Sequence, residues 1–261
     1  MIINAVCEKK EQAESLKGIK GLGRIYSPED IMPYVFRNKD ASICEKYLER
    51  DELIIRNYDE LGFLKERGYK GRIKADHTLY SFNKASIRFL KEAGVHSDTA
   101  PLELDCRELK RRGVEDSELM IYGRIPMMIS AGCVYKNARE GKCRKGLPGK
   151  ASGINTEDQV IINETAITDR MGAVFPVLGF CSFCYNVIFN SVPLSLHNEK
   201  DRISKLSPAS LRLYFTTEDG EQTRKTAYYF MELFGDVNGF RKGYGMPFKD
   251  YTKGHFIKKT E

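Results

Sequence analysis

The feature that most narrows the fold of this chain is an alternation that begins at residue 2 and runs to about residue 130. Short β-rich runs are each followed by a helical segment or a tight link. The run IINAVC (2–7) leads into EKKEQAESLKG, where Ala13 and Leu16 recur at helical spacing and Gly18 closes the turn. RIYS (24–27) and PYVFR (33–37) follow as two strand-like runs with only a short link, and then helical ASICEKYLERD. DELIIRN (51–57) precedes YDELGFLKERG, GRIKAD (71–76) leads through HTLYS to NKASIRFLKEAG, and APLELD (100–105) leads to CRELKRRG. SELMIYG (117–123) precedes a second apolar stretch, IPMMIS. Strands that alternate with helices predict a parallel sheet with helices outside it.

The pattern lapses near residue 130 and resumes near 208 with SLRLYFT (210–216) and TRKTAYYFMELF (223–234). Between them lies a loop rich in Gly, Lys and Cys, then QVIINE, VFPVLGF and YNVIFNSVPLSL, which read as antiparallel strands. Strands at 2–7, 24–27, 33–37, 53–57, 72–76, 101–105, 117–122 and 210–216 total eight, the number that closes a β/α barrel. The expected fold is α/β: a TIM-like (β/α) barrel, short or incomplete, with a cysteine-bearing antiparallel β insertion. Residues 1–130 are expected to form the main barrel portion and 131–207 the insertion. Residues 208–261 would add the last strand and helix of the barrel and a C-terminal tail.

No apolar run approaches the roughly 18 to 20 residues that would span a bilayer, and the N-terminal MIINAVCEKKEQ lacks a basic n-region, an apolar h-region and a cleavage site. A cytoplasmic protein is expected, with reduced thiols. Lys and Arg total 42 against 36 Asp and Glu, a mild excess whose distribution says more than its size. Lys136, Arg139, Lys142, Arg144, Lys145 and Lys150 are opposed only by Glu140. Such a tract is either a solvated loop or a surface for phosphates or another acidic ligand.

The seven cysteines are odd in number and scattered, which argues against a disulfide framework. Cys7, Cys44 and Cys106 lie in predicted strands or helices and read as small hydrophobes. Cys133, Cys143, Cys181 and Cys184 sit in or beside the insertion, in the order C-x9-C-x37-C-x2-C. Four thiolates can bind zinc or an iron–sulfur cluster. Only Cys181 and Cys184 form a tight zinc-type knuckle, so the spacing favours a cluster over zinc, with unliganded cysteines as the third reading.

Barrel chemistry is built at the C-terminal ends of strands. There the chain places Arg56 and Asn57, Asp76 and His77, Glu103 and Asp105, Tyr122 and Arg124. Arg56 and Arg124, with Asn57 and Tyr122, are the candidates for holding an anionic substrate, and Asp76 and Glu103 for acid–base catalysis. The alternative is that these charges form ion pairs that stitch loops together. An Asp76–His77 couple is not expected, because adjacent strand residues face opposite ways. His96, His197 and His255 are isolated in sequence and read as surface or packing residues, and neither G-x-S-x-G nor H-E-x-x-H is present.

Several segments together resemble one known family. They are LIIRNYDELGFLKERGYKGRIKADHTLYSFN (53–83), PLELDCREL (101–109), ELMIYGRIPMMISAGC (118–133), TDR (168–170), CYNVIFNSVPLSL (184–196) and YTKGHFIKK (251–259). The likeness, to the collagenase-like or U-thirty-two peptidases, covers nearly the whole chain in order, and the Y-G-R-x-P-M-M-x-S-x-x-C segment is its most specific part. It implies a TIM-like barrel followed by a cysteine-bearing segment. It also implies either the proteolysis of the family's name or oxygen-independent hydroxylation or modification of transfer RNA, ribosomal RNA or an aromatic quinone precursor. The latter members bind a 4Fe-4S cluster through four cysteines, here mapped to Cys133, Cys143, Cys181 and Cys184, and some use prephenate as oxygen donor. RNA or an anionic, prephenate-like dicarboxylate is thus the implied partner. Larger relatives carry sequence ahead of the strand matching IINAVC, so a partner subunit or a further N-terminal half is also implied. Three readings follow: an iron–sulfur modification enzyme, a peptidase, and a non-catalytic metal-stabilised module that binds RNA or protein.

Overall fold

The computed structural model describes residues 1–35, 44–138, 162–235 and 244–257. The chain divides into two compact units, residues 1–123 with 193–261, and residues 124–192. In chain order the first unit begins with β1 (Ile3–Cys7), α1 (Lys10–Leu16), β2 (Ile25–Tyr26), β3 (Glu52–Ile55), α2 (Tyr58–Glu66) and β4 (Arg72–Ala75). It continues with α3 (Lys84–Glu92), β5 (Ser97–Thr99), α4 (Cys106–Arg112) and β6 (Ser117–Gly123). The second unit holds β7 (Pro126–Ser130), α5 (Val134–Ala138), β8 (Ile162–Thr168), β9 (Val174–Phe180) and β10 (Tyr185–Phe189). The chain then returns to the first unit with β11 (Leu194–Ser195), α6 (Lys200–Leu206), β12 (Ser210–Phe215) and α7 (Gly220–Phe234).

The first unit is an α/β fold whose sheet has the order β2-β1-β12-β6-β5-β4-β3 and curls into a half-barrel. Every pairing along that path is parallel, and β11 adds an antiparallel partner on β6. The strands are buried on both faces, as a parallel sheet requires, but the two faces differ in chemistry. Along β12, Leu211, Leu213 and Phe215 alternate with Arg212 and Tyr214, and all five are buried. One face is therefore apolar and the other carries charge.

Local sequence explains where the helices start. Asn57, Asn83, Asp105 and Asp219 each accept a hydrogen bond from the amide three residues on, and the side chain at that later position, Glu60, Ser86, Glu108 or Gln222, bonds back to the cap. These four capping boxes satisfy amides that a helix N-terminus otherwise leaves bare. On β6, Gly123 has φ +146°, and a Cβ there would lie 2.6 Å from the Tyr214 carbonyl oxygen, so only glycine lets β12 approach.

Two expected strands differ. Residues 101–105 form a turn, and the strand lies earlier, at β5. Pro101 has no amide to donate and Asp105 is committed to capping α4, which ends strand pairing. Residues 33–35 form no strand; the parallel bridge on that side joins Ile31 to Ile54, and residues 36 and 37 lie outside the described residues.

The second unit is an antiparallel sheet of order β7-β10-β9-β8. Val177, Leu178, Phe180, Phe183, Tyr185, Val187 and Phe189 are buried, and the Phe180 and Tyr185 rings stack at 4.8 Å. Among the described residues, no helix is long and apolar enough to cross a membrane.

Candidate functional site

The charged face of the half-barrel runs from within the parallel strands to their C-terminal ends. Glu8 follows β1, Arg56 follows β3, and Asp76 and His77 follow β4, while Lys74, Glu118 and Arg212 lie within β4, β6 and β12. Three cations, Arg56, Lys74 and Arg212, thus meet three carboxylates, Glu8, Asp76 and Glu118, all of them buried. Arg212 bridges two of the acids: its Nη1 donates to Asp76 Oδ1 and its Nε to Glu118 Oε2, both at 2.5 Å, and its Nη2 donates to Thr99 Oγ1 at 2.6 Å. Lys74 Nζ and Asn4 Nδ2 donate to Glu118 Oε1 at 3.2 and 2.8 Å. Arg56 pairs with Glu8, reaches Asp76 Oδ2 at 3.4 Å, and lies 3.9 Å over the Tyr34 ring. Tyr214 donates to Glu8 at 2.5 Å, and its hydroxyl is 3.0 Å from that of Tyr34.

Burial alone raises a carboxyl pKa, yet at Asp76 the neighbouring His77, Arg212 and Arg56 outweigh it and hold the group well below its ordinary value. At Glu118 burial is again outweighed, here by Arg212, Lys74 and Asn4, which bring it down to about 2. Glu60, beside the network, goes the other way: burial pushes it up to about 8 although the Arg56 and Asn57 amides donate to it. Burial also raises the Tyr34 and Tyr214 hydroxyls.

Asp76 and His77 do form a couple, contrary to the expectation from strand alternation. Asp76 Oδ1 accepts the His77 amide at 2.9 Å and lies 3.0 Å from ring Nδ1. The reason is that β4 stops at Ala75. Asp76 caps the 3-10 turn His77–Leu79, so the two side chains obey turn geometry rather than the pleat. An aspartate on Nδ1 fixes the ring and leaves Nε2 as the proton-exchanging atom.

The other expected site residues are placed as follows. Asn57 caps α2 and donates from Nδ2 to the Tyr34 carbonyl at 3.2 Å. Glu103 is half-buried in the turn after β5. The Tyr122 hydroxyl donates to Glu218 at 2.8 Å, and its ring packs on Phe215, Phe230 and Phe248. Arg124 belongs to the second unit, where Nη1 donates to the carbonyls of Asn190 and Ser191 at 2.9 and 2.5 Å. The structure therefore brings Arg56 and Asp76 together and gives Tyr122 and Arg124 other bonds. The sequence reading placed His77 at a strand end but not in a couple with Asp76, and it missed Glu8, Lys74, Glu118 and Arg212. The signal for Lys74, Glu118 and Arg212 is a charge inside a parallel strand, as in SELMIYG and SLRLYF; Glu8 follows its strand and carries no such signal. His197 packs against Tyr251 at 4.7 Å, and its Nδ1 is 2.8 Å from the hydroxyl of Ser195; both residues are buried, as Asp76 and His77 are.

In the second unit, β7 runs into Cys133, and the turn between β9 and β10 holds Cys181 and Cys184. Because Asn186 pairs with Ser130 and its Nδ2 donates to the Gly132 carbonyl at 2.6 Å, these thiols share one end of the sheet. Cys184 is exposed with φ +57°, its Sγ 3.8 Å from the Cys181 carbonyl, and the Lys136 amide points to Cys133 Sγ at 3.4 Å. Cys143 lies outside the described residues, as do Arg139, Lys142, Arg144, Lys145 and Lys150 of the basic tract. The donors are of the right kind for an iron–sulfur cluster or zinc. Among the described residues, however, no three His, Cys, Asp or Glu side chains form a group that could hold a metal ion. No family model, no curated protein and no solved structure matches the chain.

Proposed function

We propose that the chain is an enzyme of the U-thirty-two peptidase type whose half-barrel is part of a TIM-like barrel. In this reading it serves oxygen-independent hydroxylation or modification of RNA or a small aromatic substrate. The observation that carries the enzymatic part is the Asp76–His77 couple, fixed at the C-terminal ends of the parallel strands by a buried network of balanced charge. Burying six charges is costly unless they are all bonded, and such networks gather where proton transfer is organised. His77 would move a proton at Nε2. Asp76 would hold the ring, and Arg212 and Arg56 would keep Asp76 ionised. Arg56 is occupied by Glu8 and Asp76, so it acts on the substrate through this network rather than as a free anion clamp.

The resemblance supplies the remainder. A 4Fe-4S cluster, or zinc in its place, would be held by Cys133, Cys143, Cys181 and Cys184, and the cluster would supply electron transfer. The common sheet end of the three described thiols supports that assignment. The oxygen donor would be a prephenate-like dicarboxylate, and the compartment cytoplasmic.

Mass spectrometry of RNA nucleosides and small aromatic metabolites, from cells with and without the protein, tests the reading. A changed nucleoside or aromatic metabolite is expected. An unchanged profile, combined with proteolysis by the pure protein that disappears on substitution of a single half-barrel residue, would make the peptidase reading the better one.

A further inference from the structure

Four large apolar side chains stand exposed on the first unit between residues 58 and 89, namely Tyr58, Tyr80, Phe82 and Phe89, and all four are aromatic. They are ordered in pairs. Tyr80 and Phe82 stack at 5.7 Å with 17° between their planes, and Tyr58 meets Phe89 edge-on at 6.2 Å. The Tyr58 hydroxyl donates to the Leu79 carbonyl at 3.3 Å, which ties one pair to the other.

The loop that presents Tyr80 and Phe82 is pinned from below. Between them Ser81 is buried; its hydroxyl donates to Asp98 at 2.5 Å and accepts from Arg112 at 2.8 Å, and Arg112 also bonds the Ser81 carbonyl and pairs with Asp98. Thr78 donates to the Arg56 carbonyl at 2.7 Å. Tyr80 is held at φ 52° and ψ 50°, a left-handed conformation that L-residues other than glycine rarely adopt. A buried ion pair thus holds a strained backbone so that two aromatic rings face solvent, three and five residues beyond His77.

The geometry points to a base-stacking platform for single-stranded nucleic acid. Three cations, Lys84, Arg88 and Lys91, follow one another at i, i+4 and i+7 on α3, the helix that carries Phe89, and all are exposed. Arg88 and Lys91 pair with Glu92 and Asp116, but those pairs are solvent-exposed, weak, and open to exchange for phosphate. Exposed aromatic rings, together with a helix that carries exposed cations, are what an unpaired strand needs: rings for its bases and charge for its backbone. The choice of RNA over DNA rests on the proposed function; the stacking surface does not.

Fluorescence anisotropy of a labelled single-stranded RNA of about 12 nucleotides, titrated with the full chain, reads this surface directly. Tyr80→Gly and Phe89→Ser should each weaken binding by roughly 5- to 100-fold. Tyr80→Gly should do so with no fall in melting temperature, since glycine accepts the left-handed backbone. Lys84→Glu with Arg88→Glu should lower the salt dependence of binding. No binding by the wild type, or unchanged affinity in Tyr80→Gly and Phe89→Ser, overturns the platform, the second result being that expected of a protein-docking patch. Aromatic-dependent binding with an unchanged nucleoside profile in cells would keep the platform and remove RNA modification.

Discussion

The two units solve the same packing problem with opposite chemistry. On its inner face the half-barrel buries Arg56, Lys74, Arg212, Glu8, Asp76 and Glu118, whereas in residues 124–192 Asn186 is the one buried polar side chain among the described residues. The antiparallel unit is held by apolar contact and turns. The half-barrel gives up that economy: a buried ion network contributes little net stability compared with well-packed hydrophobic groups, while loss of one partner strands the others. Its value lies in fixing a geometry, here the Asp76–His77 couple.

The largest expected effect comes from breaking the network at its hub. Arg212→Leu leaves Asp76 and Glu118 buried without their shared cation, and should cost roughly 3–5 kcal/mol in urea denaturation or prevent folding. If the loss is below about 1 kcal/mol, the charged face is not packed as described.

The next largest effect should come from acid acting on the half-barrel. Glu118 titrates at about 2 in the folded chain against an ordinary 4.5, so its stabilisation is fully present above that ordinary value and is lost as pH falls toward 2. The loss should be roughly 3 kcal/mol, with Asp76 acting in the same direction. Urea melts at descending pH should show it, and Glu118→Gln should flatten the acid limb while lowering stability at neutral pH. Glu60 has the reverse sign. Its folded value of about 8 lies above its ordinary 4.5, so the folded state holds the extra proton and stability declines as pH rises from 4.5 through 8. Glu60→Gln should remove that decline, visible as a flatter melting temperature across this range.

How much of this was legible in the sequence differs along the chain. The β/α alternation is a local signal, and a parallel sheet with helices between its strands is present; the caps at Asn57, Asn83 and Asp105 come from the structure, and the sequence reading has Asn57 as a substrate-binding residue. The strand placed at 101–105 failed because an apolar run beside Pro101 carries no information about which amides pair. Arg56 and Asp76 were placed at strand ends by position alone. Their partners were not legible, because Glu8, Glu118 and Arg212 meet only after strands far apart in sequence become neighbours, as β12 does by inserting between β1 and β6. The Asp76–His77 couple was lost to a boundary error of one residue: a strand ending at 76 forbids it, and one ending at Ala75 permits it.

The smallest expected effect lies in the antiparallel unit. Asn186→Ala removes the bond to the Gly132 carbonyl that places Cys133 beside the turn holding Cys181 and Cys184. It should cost roughly 1–2 kcal/mol, and protein prepared without oxygen should lose iron and sulfide in step with the cysteine substitutions if those thiols hold a cluster. Iron content equal to that of the wild type would dissociate this end of the sheet from metal binding.

The claim that the half-barrel is a working acid–base site is tested most directly by complementation with His77→Gln, expressed at wild-type level in cells lacking the protein. An imidazole is able to exchange a proton, whereas the glutamine amide can keep a hydrogen bond to Asp76 but cannot do so. The account predicts that the wild-type chain restores the altered nucleoside or aromatic metabolite and His77→Gln does not, although it melts within a few degrees of the wild type. Full restoration by His77→Gln would contradict it and leave the charged face a structural one.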